Sequence, residues 1–225
     1  MNKKAYVCKM KLASANVLSI LILIIMGIIT ILLGVSLYPD KISTIILFTV
    51  MILYFWFHEV LHGIGFILGG ANRKNVTYGI ELEKGVFYCM AYQELTKKNI
   101  LISLQMPFTV IGVITYIIGI IYKIPLLVLL SSMNISGASM DLVMFFYISR
   151  IKNVTYSESG NSDEFVLISD EDLTKKKNMF IKVVDVKDYN EKDYQFTGFK
   201  KFKITKKSII IIVVFLLLGL ISSII

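Results

Sequence analysis

The chain has 225 residues, of which 56% are hydrophobic, and it carries a formal net charge of +8. This apolar share excludes an ordinary soluble domain and indicates a polytopic membrane protein. The positive charge does not indicate nucleic-acid binding, because the lysines cluster beside apolar stretches and no nucleic-acid motif accompanies them. The two cysteines, Cys8 and Cys89, form neither a disulfide framework nor a zinc-ligand spacing.

The first predicted element is a transmembrane helix over about 16–37. A basic tail precedes it, as in a signal peptide, but the apolar run is too long and has no small-residue cleavage site. A membrane-spanning helix needs about 20 apolar residues. Four further stretches come near this length, at about 43–68, 100–122, 124–148 and 207–225.

Lysine and arginine predict the orientation of these spans. Of 24 such residues, 22 lie in the tail before the first span, the loop after the second, or the segment between the fourth and fifth. Because positive charge stays on the cytoplasmic side, we expect a cytoplasmic N-terminus and a multi-pass protein of the bacterial cytoplasmic membrane. The last span stops at the chain end, so a re-entrant or surface-lying tail is the alternative.

Two polar segments are then expected on the cytoplasmic side. In the loop 70–98, two aromatic and β-branched runs flank a glycine-containing turn, which predicts a β-hairpin. In 151–206, short strand-like runs (164–168, 179–186 and 195–204) alternate with charged turns. The predicted fold is an α-helical polytopic membrane protein with about five transmembrane helices, a cytoplasmic β-hairpin loop and a small strand-rich cytoplasmic segment. We divide it into a membrane core (1–150), the cytoplasmic segment (151–206) and a C-terminal transmembrane helix (207–225).

The only two histidines of the chain lie four residues apart, as His58-Glu59-Val60-Leu61-His62, inside the second span. Residues four apart share one face of a helix, so the two imidazoles can bind one Zn²⁺, with Glu59 as the catalytic base. Ionisable groups inside a membrane are costly, which favours a functional role. The alternative is a set of polar residues satisfied by neighbouring helices.

A catalytic zinc site needs a third protein ligand, and Asp141 is the acidic residue found inside another span. It lies about seven residues from the cytoplasmic end of that span, a depth of roughly 10 Å that also suits His58. The alternative is a carboxylate hydrogen-bonded to a neighbouring helix. Asn134, seven residues earlier, is predicted to orient the carboxylate or bind substrate, or else to join two helices.

Small residues and one proline are expected to shape the surroundings of this site. Gly63, Gly65 and Gly137 would let helices approach closely. Pro107, in the third span, would free one backbone carbonyl and kink the helix, which could admit water.

These residues predict peptide hydrolysis in the membrane. A zinc-activated water would attack the peptide carbonyl while Glu59 takes up its proton. An α-helix hides its amides, so a membrane substrate must unwind, and the hairpin 76–92 could hold it as an added strand.

The arrangement resembles a bacterial family of multispanning "putative zincin peptidases", catalogued as a domain of unknown function, and more distantly the site-2 class of intramembrane zinc metalloproteases. The resemblance covers roughly residues 45–160. It implies His58, His62 and Asp141 as zinc ligands and Glu59 as catalytic base. Gly137 departs from the proline that site-2 proteases typically have, and Met140-Asp141-Leu142 departs from their Leu-Asp-Gly. The matching pieces are His58-Glu59-x-x-His62-Gly63, Tyr78-Gly79, Gly85-x-Phe87-Tyr88, Met106-Pro107-Phe108 and Asn134-x-x-Gly137-x-x-x-Asp141.

We therefore expect a membrane-embedded zinc metalloprotease that cuts membrane-associated protein or peptide substrates near the cytoplasmic face. The expected partners are such a substrate and the lipid bilayer, without nucleic acid. The first alternative is a non-proteolytic membrane protein that retains the zincin fold in a chaperone or immunity role, although such a protein would not need Glu59. The second is a metal transporter, which would be expected to carry more intramembrane ligands. Neither the substrate nor the oligomeric state follows from the sequence.

Overall fold

The computed structural model describes residues 3–36, 44–81, 86–159, 164–176 and 178–186. The third span is interrupted by a π-helical segment, Phe108–Ile114, which joins two α-helices. The helices are α1 (Leu12–Leu32), α2 (Thr44–Gly69), α3 (Lys97–Pro107), α4 (Thr115–Ile121), α5 (Pro125–Gly137) and α6 (Ser139–Ser149). The strands are β1 (Lys4–Met10), β2 (Val76–Glu81), β3 (Val86–Ala91), β4 (Leu95–Thr96), β5 (Val154–Glu158), β6 (Glu164–Ser169) and β7 (Ile181–Asp185).

Within the described residues, three helices are long and apolar enough to cross a membrane: Leu12–Leu32, Thr49–Gly69 and Lys97–Ile121. A fourth span is present if α5 and α6, which meet at an angle of 46°, cross together. The single helix expected over 124–148 is thus broken at Ala138. Pro125 occupies the first turn of α5, a position that the fixed φ angle of proline favours. The predicted fifth span, 207–225, lies outside the described residues, so the count of about five remains a prediction.

A five-stranded sheet forms the polar layer, in the order β4-β5-β6-β1-β7. Strand β1 comes from the N-terminal tail and lies inside the sheet, between β6 and β7. It pairs antiparallel with both: Cys8 faces Phe165 of β6 on one side and Val183 of β7 on the other. Sheet and helices share one core, in which Cys8 and Leu167 pack with Phe66 of α2 and Ile148 of α6. The tail, the 70–98 loop and the segment after α6 therefore meet on one side of the helices, as their shared lysine content predicted.

The hairpin is present where it was expected. Strands β2 and β3 pair antiparallel, with Val76 facing Ala91 and Gly79 facing Tyr88. Strands over 164–169 and 181–185 also confirm two of the three runs predicted after residue 150, whereas the third, 195–204, lies outside the described residues. β1, β4 and β5 were not predicted, and the sheet takes strands from both sides of residue 150.

Candidate metal centre

The two histidines face each other on α2. They lie on adjacent turns of one helix face, and their ring centroids are 4.8 Å apart at an interplanar angle of 70°. Their Nε2 atoms are 3.1 Å apart. The helical spacing of the motif therefore brings one nitrogen of each ring to a common point.

The break between α5 and α6 brings Asp141 to the same point. Asp141 lies in the first turn of α6, just after the bend. Its Oδ2 atom is 3.3 Å from Nε2 of His58 and 3.4 Å from Nε2 of His62. The three ligands expected from the sequence thus meet, although the helix that carries Asp141 is bent rather than straight.

The hydrogen bond of His62 determines its tautomer. Its Nδ1 atom is 2.9 Å from the backbone carbonyl oxygen of Ser103 on α3. A carbonyl only accepts hydrogen bonds, so Nδ1 must carry the proton and donate it. In the neutral imidazole Nε2 then carries the lone pair, and this atom lies beside Asp141 and His58.

Asn134 determines the tautomer of His58 in the same way. The side-chain amide Nδ2 of Asn134 donates to the carbonyl oxygen of Pro107 at 3.2 Å, so its Oδ1 faces His58. That Oδ1 accepts a hydrogen bond from Nδ1 of His58 at 2.6 Å. Asn134 is 1% exposed and contacts a histidine rather than the Asp141 carboxylate. Asn134 is thus placed to orient one of the candidate ligands.

The three donor atoms fit a zinc ion. In a tetrahedral site with bonds of about 2.0–2.1 Å, neighbouring donor atoms lie about 3.3–3.4 Å apart. The observed separations are 3.1, 3.3 and 3.4 Å. The set of two neutral imidazoles and one carboxylate leaves the fourth tetrahedral position to a water or substrate. Burial raises the pKa of the neighbouring Cys89 thiol, which keeps it protonated in the metal-free protein.

Glu59 lies beside this triangle. One of its carboxylate oxygens and one nitrogen of each histidine ring lie within 4.8 Å of one another, so this His–Glu–His group alone has metal-binding geometry. The carboxylate interacts with the backbone N–H of Cys89 on β3. The hairpin therefore holds the predicted base, a contact that the sequence did not reveal.

A cavity of about 280 Å³ opens in front of these residues. The candidate ligands and Glu59 form one wall, and four consecutive residues of β3, 87–90, form a second. The described residues around it include four carboxylates and neither lysine nor arginine; one of these, Glu164, is paired with Lys9 at 3.0 Å. The wall on the five-stranded sheet consists of Met10, Tyr156, Glu158, Glu164 and Phe165.

Glu158 is one of two carboxylates on the sheet side of the cavity, and the sequence did not single it out. It accepts a hydrogen bond from the hydroxyl of Tyr156 at 3.0 Å and interacts with the backbone N–H of Ala91. Burial raises the pKa of Glu158 to about 7. This group links the large sheet to the hairpin and changes charge near neutral pH.

One edge of β3 pairs with β2, and the opposite edge pairs with no other described strand and faces the cavity; we call it the free edge. Tyr92 N–H donates to the Asn75 carbonyl at 2.8 Å, and hydrogen-bonded pairs alternate along an antiparallel ladder. Hence the amides of Tyr88 and Met90 point toward β2. The amides that point toward the free edge are those of Phe87, Cys89 and Ala91.

Glycines hold the elements around the site in close contact. A Cβ atom at Gly65 would lie 2.5 Å from Cα of Ser103, and one at Gly69 would lie 2.5 Å from Cα of Asn99, so α2 and α3 touch backbone to backbone. Gly63 is covered by the Tyr78 ring of the hairpin rather than by a helix. The expectation for Gly137 was wrong in the described structure: a Cβ there would meet nothing within 4 Å, and the residue lines the cavity.

Comparison with known proteins agrees with the motif. No curated protein and no solved structure matches the chain significantly. The model of one family, described as "Putative zincin peptidase", matches residues 50–156, a stretch that includes both histidines, Glu59 and Asp141. The match and the His–Glu–His group together indicate a zinc metallopeptidase. The family that the motifs predicted is thus the one whose model matches the chain, over residues 50–156.

Proposed function

We propose that this chain is a membrane-embedded zinc metallopeptidase that hydrolyses peptide bonds of membrane-associated proteins near the cytoplasmic face. One observation carries the proposal: one nitrogen of each histidine and one carboxylate oxygen lie 3.1–3.4 Å apart, which is close to the donor spacing of a tetrahedral zinc site. The lysine distribution supports a cytoplasmic position for the sheet and the hairpin.

Three residues would bind the metal, and a fourth would transfer the proton. His58, His62 and Asp141 would hold zinc, which when bound supplies a Lewis acid and lowers the pKa of water. Glu59 would take the proton of the attacking water and return it to the leaving amine. The backbone N–H of Cys89 keeps the Glu59 carboxylate at the cavity wall.

The free edge of β3 supports a mode of substrate binding. An unwound segment could add to this edge as a third strand, with backbone hydrogen bonds to the amides of Phe87, Cys89 and Ala91. Glu59 and Glu158 interact with two of these amides and would yield them to the substrate. Its peptide bonds would then run past Glu59, within reach of the metal centre.

Substitution of the base tests the enzymatic function. Wild type, Glu59→Gln and, as a control, Glu94→Gln at an exposed position would be purified, assayed for zinc content and incubated with transmembrane-peptide libraries. We expect zinc in all three and cleavage by wild type and Glu94→Gln only. Equal cellular function of wild type and Glu59→Gln would instead favour a non-proteolytic role.

Strand addition is tested at Phe87. Phe87→Pro removes one free-edge amide without breaking the pairing of β2 and β3, whereas Phe87→Ala removes the same ring and keeps the amide. We expect Phe87→Pro to cleave substrate more slowly than Phe87→Ala at equal zinc content. Equal turnover of the two variants would contradict strand addition.

A further inference from the structure

The helix that faces the histidines has a carbonyl without its usual helical partner. In an α-helix the N–H of residue 107 would bond to the carbonyl of residue 103, but Pro107 has no N–H. Ser103 is fully buried, and in a membrane a buried carbonyl must find another donor. The Nδ1–H of His62 is that donor, at 2.9 Å.

The proline also favours a tilt of the Ser103 carbonyl away from the axis of α3 and toward α2. A proline ring inside a helix collides with the carbonyl four residues earlier and tilts it away from the helix axis. At Ser103 the neighbouring backbone is that of α2, because Gly65 allows contact there. The Ser103 hydroxyl also donates to the His62 carbonyl at 2.9 Å, so two hydrogen bonds join the helices at this point.

One turn further along, the carbonyl of Pro107 itself takes part. It accepts a hydrogen bond from Asn134, which in turn accepts one from His58. The carbonyls of residues 103 and 107 thus anchor both imidazoles, one directly and one through an amide. A regular helix would have used the first of these carbonyls internally.

We propose that Pro107 is a positioning residue for the metal centre. It leaves the Ser103 carbonyl free to hold His62 in the Nδ1–H tautomer, with Nε2 unprotonated and directed at the zinc position. This inference rests on the proposed function only for the identity of the metal. The tautomer of His62 is a property of the chain and is measurable without zinc.

The experiment compares two variants of the full chain that differ by a single N–H group. Pro107→Ala introduces a backbone N–H at residue 107 that competes with His62 for the Ser103 carbonyl. Lactic acid at position 107, the hydroxy-acid analogue of alanine, has the same methyl side chain but forms an ester without this N–H; we call it the 107 ester. Pro125→Ala, at the first turn of α5, controls for proline loss elsewhere. If Pro107→Ala does not fold, Leu104 is instead replaced by leucic acid, its hydroxy-acid analogue. The resulting ester keeps every side chain and makes the Ser103 carbonyl a weaker hydrogen-bond acceptor.

Two readouts apply. Zinc affinity is measured by competition with a chelator, and outer contacts of this kind change metal affinity about 10–100-fold. The ¹⁵N spectrum of histidine in the metal-free protein reports the tautomers. Because the chain has two histidines, substituting each of them in turn assigns the signals. We expect Pro107→Ala, or the 104 ester, to lose zinc affinity by about 10–100-fold and the 107 ester to stay within about twofold of wild type. We also expect His62 to be Nδ1–H in wild type and the 107 ester, and mixed in Pro107→Ala.

The outcomes separate the two proposals. Unchanged His62 signals and zinc affinity in Pro107→Ala would overturn the positioning role, and so would equal losses in Pro107→Ala and the 107 ester, which would point to ring packing. A wild type that binds no zinc but shows the expected histidine tautomers would overturn the proposed function and leave the role of Pro107 standing.

Discussion

Gly65→Ala provides the sharpest test of the contact between α2 and α3. The new Cβ atom would lie 2.5 Å from Cα of Ser103, whereas carbon atoms pack at about 3.5–4.0 Å. The helices must therefore separate by about 1 Å, which would lengthen the 2.9 Å bond between His62 and the Ser103 carbonyl to roughly 4 Å. Overpacking of this kind costs about 1–3 kcal/mol, and a lost outer contact lowers metal affinity about 10–100-fold. We expect a lower melting temperature in detergent and weaker zinc binding.

Gly27→Ala is the matched control. Gly27 lies inside α1, where a Cβ would meet nothing within 4 Å, so alanine should stabilise that helix by up to about 1 kcal/mol. The same chemical change should thus have opposite effects at the two positions. A Gly65→Ala variant that melts at or above Gly27→Ala and binds zinc normally would refute the argument.

Three further predictions concern the cavity. Asp141→Ala removes a candidate zinc ligand. Loss of a group that only contacts a ligand lowers metal affinity about 10–100-fold, so the fall in zinc affinity should be larger than this. Gly137→Leu should fold and bind zinc, because a Cβ there meets nothing, but its side chain fills part of the cavity and should suppress cleavage. Glu158→Gln should raise stability by about 1–3 kcal/mol at pH 8 and have little effect below about pH 4.5, as measured by thermal melts across pH.

The sign for Glu158 follows from its pKa, which is raised to about 7 in the folded protein. Below about pH 4.5 the carboxyl is protonated in both the folded and the unfolded state. Between there and about pH 7 only the unfolded state ionises, so stability is lost as pH rises. Glu171 is the control of opposite sign, because its hydrogen bond with Lys176 lowers its pKa and its stabilising effect is lost as pH falls. A Glu158→Gln effect that does not grow with pH would contradict this account.

The apolar spans and the hairpin could be predicted because each depends on a local pattern. The helices follow from runs of apolar residues, and β2 and β3 follow from β-branched and aromatic residues around a turn. The meeting of His58, His62 and Asp141 was predictable because helical spacing and equal depth constrain where these groups lie. Their role as zinc ligands is a prediction that the experiments above address.

Other features could not be predicted because they depend on distant partners. β1 reads as a basic tail, since Tyr6, Val7 and Cys8 are buried in succession and show no alternation of polar and apolar residues. Its strand character comes from β6 and β7 on either side. The contact of Glu59 with the Cys89 amide likewise depends on how the hairpin docks. One signal was present in the sequence: Pro107 lies four residues after Ser103, and this spacing identifies the freed carbonyl.

The position of β1 between β6 and β7 has a consequence for biosynthesis. The strand leaves the ribosome well before the two strands that flank it, residues 164–169 and 181–185. At about 5–20 residues per second, roughly ten to thirty seconds of translation separate the strand from its partners. The sheet wall of the cavity, with Met10, Glu164 and Phe165, closes only after that delay. The histidine pair on α2 is therefore synthesised well before the cavity around it is complete.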